Sequence, residues 1–443
     1  MFMYFTQNKK KIWAFTKKLA NLNFAIFVLF IICLLSFIGS LIEQDQSLLY
    51  YQLNYPINPS KFFDINWNTI ILLGIDHLYS TWWFILTLVI LCLSLITCTF
   101  STQLPSLNNS RRWKFLNSRG LNKQSNISHR FKTKDNSMIN MIYSLNLCHY
   151  YVFNRQKNIY GYKGIFGRIA PVIVHISIII TLFGSTIGLF YGFNSQEMIP
   201  KGEIFHLKNI ITSGKKSFLP LDYLFRVDDF YITYNNNRSI KQFFSKISIF
   251  NHQGKRLFDD SISVNSPCKF KRLTIYQTDW QINGLRIKLD KNFVFQDKLS
   301  RIKVNNQIFP MLILPVDFNR DILILVRDLN SQIEIYNSEG KILNLVNLNQ
   351  EFNIDGCIFI IKEIMMSTGL QIKCDPGVVI VYLGFGLLML STIASYMSYS
   401  QIWVNYSEYD FELFGQTNRA ILFFEEEIVL IYNRYIKYTT DHG

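Results

Sequence analysis

The sequence predicts an integral membrane protein, with four transmembrane α-helices plus a large, mainly-β lumenal (outer) domain between helices three and four. Three observations carry this. The chain is 49% hydrophobic and 16% aromatic but only 17% charged, against about 25% charged in average soluble domains. Four runs contain no Asp, Glu, Lys or Arg: Leu22–Ile42, Thr81–Phe100, Ile169–Tyr191 and Gly377–Tyr396. Each approaches or reaches the ~20 residues that cross a ~30 Å hydrocarbon layer. Between the last two lie the short runs LRIKL (285–289), ILILV (322–326) and QIEIY (332–336), separated by FNRD, DLNS and NSEG. Alternating, β-branched runs broken by such turn formers read as antiparallel strands.

Charge assigns a side to each segment. The N-terminus, 1–21, carries Lys9, Lys10, Lys11, Lys17 and Lys18 ahead of helix one, 22–42. The loop 43–80 holds Glu43, Asp45, Asp64 and Asp76 against Lys61. After helix two, 81–100, the segment 101–168 carries Arg111, Arg112, Lys114, Arg119, Lys123, Arg130, Lys132, Lys134, Arg155, Lys157 and Lys163 against Asp135. Helix three is 169–191, the outer domain 192–376, helix four 377–396 and the tail 397–443. Cationic loops stay on the cytoplasmic or stromal side, so both termini and the second loop lie inside. The outer domain's own basic residues do not contradict this, because long domains translocate largely regardless of charge. The net charge of +14 is thus sorted by topology, and nucleic acid is not the expected partner. The apolar run after the lysines is too long for a signal-peptide core and lacks a small-residue cleavage pattern, so span one reads as a permanent anchor. Within 101–168, Asn108–Ser137 is polar and basic, a flexible stretch or one pressed on anionic headgroups. In the tail, FFEEEIVLIYNRYIKY reads as one short amphipathic helix.

The seven cysteines include no C-x-x-C and no C-x-x-C-H, so neither a redox dithiol nor a c-type haem attachment site is present. Cys33 and Cys92 read as packing residues within spans. A disulfide among Cys268, Cys357 and Cys374 is open on an oxidising side. Cys98, near the inner end of span two, is a packing residue or a thiol exchanger.

The residue that asks for an explanation is His175, inside GRIAPVIVHISIIITLFGSTIGLFYGF (167–193). Burying an unpaired imidazole costs on the order of 1–3 kcal/mol. Three readings compete: a hydrogen bond to a neighbouring helix, a proton relay, or ligation of a metal or haem iron through a neutral ring nitrogen. At 100° per residue, Arg168 lies on nearly the same face, with Val172, Ile178, Ile179 and Leu182. Gly184 and Gly188 form a small-xxx-small pair on roughly the opposite face, where close helix packing belongs. That leaves the histidine face, about 12 Å from Gly167 at ~1.5 Å per residue, for something else. Haem, with an iron for the imidazole and propionates for Arg168, is permitted by this geometry and not selected by it. His77, in GIDHLYSTWWF, stands on the outer side with Trp82 and Trp83. These are interfacial anchors or a haem platform. His129, His149, His206, His252 and His442 have no companion at metal-ligand spacing.

Several stretches together resemble a known family. They are LANLNFAIFVLFIICLLSFIGSLIEQDQ, DHLYSTWWF, LITCTFSTQLPSLNNSRRWKF, GRIAPVIVHISIIITLFGS, LTIYQTDWQI and GLQIKCDPGVVIVYLGFGLLMLSTIASYMSYSQIW, in order from about residue 18 to 403. The chain resembles the ResB-like (Ccs, system II) cytochrome c biogenesis proteins, above all their plastid and cyanobacterial members. The histidine span and YQTDW are the more specific matches. The resemblance implies an accessory subunit of a haem-lyase complex rather than an enzyme by itself. With a CcsA-like membrane partner, it would bind or deliver haem b in transit and support its attachment to apocytochromes c, of c6 and f type, on the lumenal side. It implies His175 as an iron ligand, Arg168 as a propionate partner, and Asp279, in YQTDW, as an outer-domain position of functional weight. The second ligand and the tryptophan-rich motif would come from the partner. The implied location is the plastid thylakoid membrane, with a bacterial-type plasma membrane as the alternative. The competing reading is a scaffold that chaperones apocytochrome and stabilises the partner without binding haem.

Overall fold

The protein is described from a computed structural model covering residues 14–440 except 15, 58–65, 111–114, 116–124, 126, 133–136, 237–238, 290–292, 305–306, 318–319, 328, 330–331, 355–356 and 407–409. Most of Asn108–Ser137, the N-terminal lysines 9–11 and His442 therefore lie outside the described residues. The chain forms two units, Met1–Thr186 with Gly377–Gly443, and Ile187–Pro376.

The helices of the first unit are α1 (Leu22–Leu41), α2 (Leu48–Asn54), α3 (Trp67–Leu73), α4 (Trp82–Ser110), α5 (Met138–Leu147), α6 (Phe166–Tyr191), α7 (Val378–Ser395) and α8 (Ile421–Thr440). Four of them, α1, α4, α6 and α7, are long and apolar enough to cross a membrane. Their outward faces are apolar: Phe27, Phe30 and Phe37 on α1 and Met389, Leu390 and Ile393 on α7 are all at least 60% exposed.

 
In water such surfaces would form one large adhesive patch; against lipid tails they are the ordinary state. The spans follow the apolar runs closely, but α4 continues nearly three turns past the run that ends at Phe100, as far as Ser110. The small-residue face of α6 packs against α7. A Cβ added to Gly184 would stand 2.9 Å from both the Val381 nitrogen and its Cγ2, so only glycine allows this approach.

The basic segment and the tail, read separately from sequence, fold together. Ile127–Lys132, Asp410–Thr417, Ser400–Tyr406, Asn158–Lys163 and Tyr151–Arg155 form one antiparallel five-stranded sheet in that order. Helices α5 and α8 cover one face. Met141, Leu145, Ile402, Val404, Phe411, Leu413, Phe424, Ile428 and Tyr435 make the shared core. The expected short helix is thus the 20-residue α8, preceded by two strands. Part of the stretch read as flexible, Ile127–Lys132, is an edge strand whose partners lie some 280 residues later in the chain.

The second unit is built on two long strands, Leu273–Leu289 and Cys357–Cys374, which pair antiparallel along their length. They form the centre of a seven-stranded sheet. At one end Leu273, Ile275, Leu370 and Ile372 join Phe225, Val227, Ile247 and Ile249 of a four-stranded sheet in one core. At the other end Leu285, Ile287, Ile361 and Ile364 join Leu312, Ile324 and Ile335 of a five-stranded sheet in a second core. The runs LRIKL, ILILV and QIEIY fall in these strands. One paired spine therefore serves two sandwiches, and three register shifts along it let it bend between them.

Leu413→Ala empties a fully buried site and should cost about 2–5 kcal/mol. Limited proteolysis in detergent should then cut 127–163 and 400–440 together while 187–376 stays protected. Cleavage of only one of the two inner segments would refute the shared core.

Candidate functional site

Helix α4 changes its winding where it meets His175. Pro105 has no N–H and its ring crowds the carbonyl four residues back. The turn Thr99–Gln103 is π-helical, with the Leu104 N–H donating to the Thr99 carbonyl. Such wide turns cluster at functional sites. Here Thr99 and Gln103 both reach the imidazole on α6: Thr99 Oγ1 lies 3.0 Å from Nδ1, and Gln103 Nε2 lies 3.0 Å from Nε2 of the ring.

These contacts set the tautomer. The Thr99 hydroxyl donates its one proton to the Leu95 carbonyl at 2.8 Å. Its oxygen is then an acceptor, so His175 Nδ1 carries the ring proton. Nε2 keeps its lone pair and accepts from the Gln103 amide. A neutral ring anchored through Nδ1–H with Nε2 as the electron-pair donor is the form a metal-ligating histidine takes.

Arg168 lies on the same seam. Its Nη1 donates to Ser106 Oγ at 3.3 Å, and its guanidinium sits 5.2 Å from the centre of the Tyr399 ring. The histidine face is therefore covered by the C-terminal extension of α4 rather than left open. Two buried polar atoms on this seam, Arg168 Nε and Gln103 Oε1, have no hydrogen-bond partner among the described residues. The ring of His175 stays half-buried. The seam thus brings an imidazole and a guanidinium together beside one wide turn of α4.

The candidates at the N-terminal end of α4 form a separate place. His77 Nδ1 is 2.9 Å from Asp76 Oδ2, which fixes that ring by a carboxylate as α4 fixes the other. Trp82 is 76% exposed at the start of α4, and Trp83 is partly buried beside it. Trp82 and Thr99 are 17 residues apart on the helix, about 25 Å at ~1.5 Å each. Structure does not bring this group to His175. Gln44, unremarked in the sequence, ties down the loop between α1 and α4. Its amide donates to the Ile42 and Ile75 carbonyls at 2.8 and 2.9 Å, and its oxygen accepts from Leu78 N–H at 2.9 Å. Asp279 lies in the second unit at the first register shift of the spine, exposed, with its carboxylate accepting the Trp280 N–H at 2.8 Å.

All seven cysteines are free. Cys268 and Cys357 belong to different cores of the second unit. Burial, aided by Asp260, pushes the Cys268 thiol up to about 11, so it stays protonated and unreactive at neutral pH. Cys98 Sγ lies 3.2 Å from Thr102 Oγ1 within α4.

With the histidine span, its seam and the two-core second unit in view, comparison with known proteins decides the family. The ResB-like family model matches residues 22–342 and 343–429. The chain belongs to the ResB-like family. This ResB-like chain is 46% identical to the cytochrome c biogenesis protein Ccs1 of Gracilaria tenuistipitata var. liui, over 97% of its own length and 99% of that protein's. It is 43% identical to Ccs1 of Porphyra purpurea, over 95% and 96% of the two chains. It is 39% identical to the cytochrome c biogenesis protein CcsB of Trichormus variabilis, over 95% and 92%. The resemblance first carried by the histidine span and YQTDW thus extends over nearly the whole ResB-like chain. Pro105, four residues beyond Ser101 in STQLPSL, is the signal in sequence from which the wide turn facing His175 was readable.

Solid-state NMR of protein labelled with ¹⁵N-histidine should show His175 protonated at Nδ1 and bare at Nε2. Thr99→Val should mix the tautomers, and a ring protonated at Nε2 in the parent protein would overturn the assignment. Alkylation of Cys268 in the folded protein should be slow at pH 8 and rise as pH approaches 11. Fast labelling at neutral pH would contradict the buried, protonated thiol.

Proposed function

We propose that this chain is a haem-handling subunit of c-type cytochrome assembly. It works beside a CcsA-like membrane partner and serves apocytochromes c, of c6 and f type, on the lumenal side of the plastid thylakoid membrane. Membership of the ResB-like family and the names of the full-length relatives support the general role. The algal and cyanobacterial sources of those relatives, with four membrane-length apolar helices, support the location. The segregation of basic residues into 101–168 supports the second unit lying on the lumenal side. The observation that carries haem handling is the tautomer of His175, held with Nε2 as an electron-pair donor inside an apolar helix pair.

Haem b, as transient cargo, supplies the iron that takes an imidazole and the vinyl groups that meet cysteine thiols. His175 would hold it through Nε2, and Arg168 would take a propionate with its unpartnered Nε. Thr99 keeps the ring from turning. Gln103 occupies Nε2 between loads, at a cost to remove that is small, because interhelical hydrogen bonds in membranes average ~0.6 kcal/mol. The apolar flanks of α4 and α6 keep water from the site.

A second reading has its own observation. Both ring nitrogens of His175 are hydrogen-bonded within the chain, which suits a scaffold whose histidine joins helices and whose outer unit grips apocytochrome.

Absorption spectra of the chain co-purified with its partner separate the two. His175→Gly should lose haem and matured c-type cytochromes while the partner still co-purifies. Thr99→Val should weaken haem retention by roughly 10–100-fold, the usual effect of removing the group that orients a ligating histidine. Full haem and normal maturation in His175→Gly would leave only the scaffold.

A further inference from the structure

The second unit carries a cavity of about 380 Å³ that the haem reading does not use. Ile187, Tyr191 and Pro376 line it, and these stand at the end of α6 and just before α7, where two membrane-length helices begin and end. Three cations, Lys216, Lys271 and Arg272, line the same cavity.

The loop carrying Lys216 is pinned to the last turn of α6. Gly214 N–H donates to the Gly192 carbonyl and Lys216 N–H to the Phe190 carbonyl, both at 2.9 Å. The same loop holds Phe218, 86% exposed, and Leu221, 65% exposed. An exposed aromatic beside a lysine is how a loop enters a lipid interface.

Lys271 and Arg272 form the two-residue turn between the strands Cys268–Phe270 and Leu273–Leu289. Such turns favour Asn-Gly or Asp-Gly, since left-handed backbone suits those residues. This chain instead places Lys271 at φ 54°. The strain is accepted where two cations stand side by side at the rim. Lys271 Nζ is held by the Tyr223 hydroxyl at 2.5 Å and lies 4.8 Å from the centre of that ring. Lys216 and Arg272 have no hydrogen bond or ion pair from their side chains among the described residues.

We propose that this cavity seats the acidic headgroup of a membrane lipid. Its phosphate or sulfonate meets Lys216, Lys271 and Arg272, and its acyl chain runs along Ile187 and Phe218. Three cations around one opening suit a single anion, and the apolar wall beside them suits the chain that a free anion lacks. The inference rests on α6 and α7 crossing a bilayer, which carbonate extraction of membranes tests separately.

The test uses the full chain, purified in mild detergent and exposed to phosphatidylglycerol or phosphatidylcholine in mixed micelles, with bound lipid read by native mass spectrometry. Phosphatidylglycerol should be retained at least roughly tenfold over phosphatidylcholine, a difference of about 1.4 kcal/mol. Lys216→Gln with Arg272→Gln should abolish that preference. Lys271→Asn relieves the backbone, so it should melt no lower than the parent and still retain less phosphatidylglycerol, which a purely structural lysine would not do. Equal retention of both lipids, or unchanged preference in the double variant, overturns the proposal. So does displacement by inorganic phosphate alone at equal concentration, which would mark a free-anion site, and so does haem bound there in place of lipid.

Discussion

The imidazole of His175 cannot sit unpaired in hydrocarbon, and the first unit is arranged around that constraint. Its two nitrogens take their partners from one wide turn of α4. That turn exists because Pro105 follows it, and beyond the proline the helix runs on to Ser110. The extension carries Ser106 to Arg168 and the Ser110 carbonyl to the Tyr399 hydroxyl at 3.0 Å. Tyr399 in turn leads directly into the strand Ser400–Tyr406. A single line of polar contacts thus joins the half-buried histidine to the five-stranded sheet of the first unit.

Magnitudes explain why a satisfied histidine is still available to a ligand. A hydrogen bond between helices in a membrane is worth about 0.6 kcal/mol on average, so the Gln103 contact at Nε2 is weak and exchangeable. The Nδ1 contact is no stronger by itself, but it is the one that selects the tautomer. Holding a ring in the donor form and covering the donor with a weak partner are compatible roles. The two orphaned atoms, Gln103 Oε1 and Arg168 Nε, lie on that same seam and have desolvation costs that a second occupant would relieve.

The second unit solves a different problem. Its two long strands are shared by two cores, and the register shifts along them are what let one ladder face two sheets. Asp279 sits at the first of these shifts, exposed, with its carboxylate turned back onto the Trp280 amide. The cations of Lys271 and Arg272 occupy the tight turn just before the start of the same strand, at Leu273. Both features sit where the ladder is interrupted, because only there do side chains and backbone escape the alternation of a regular strand.

What could be read from sequence follows from which forces are local. The four long helices were legible because lipid forces each span to satisfy its backbone within itself, so composition over about 20 residues suffices. His175, Arg168 and the glycine face of α6 were legible because helical geometry is a fixed rotation per residue. The resemblance to the ResB-like family was legible from motifs in order along the chain. The partners of His175 were not, since Thr99 and Gln103 belong to another helix 76 and 72 residues away. Nor was the five-stranded sheet of the first unit, whose edge strand finds its neighbour at 410–417. Strand pairing over such separations depends on which apolar faces meet in a folded chain, and no local pattern encodes that meeting. Local chemistry settled that this chain carries four membrane-length apolar helices and a histidine within one of them; only tertiary packing settled which groups the two nitrogens of that ring meet.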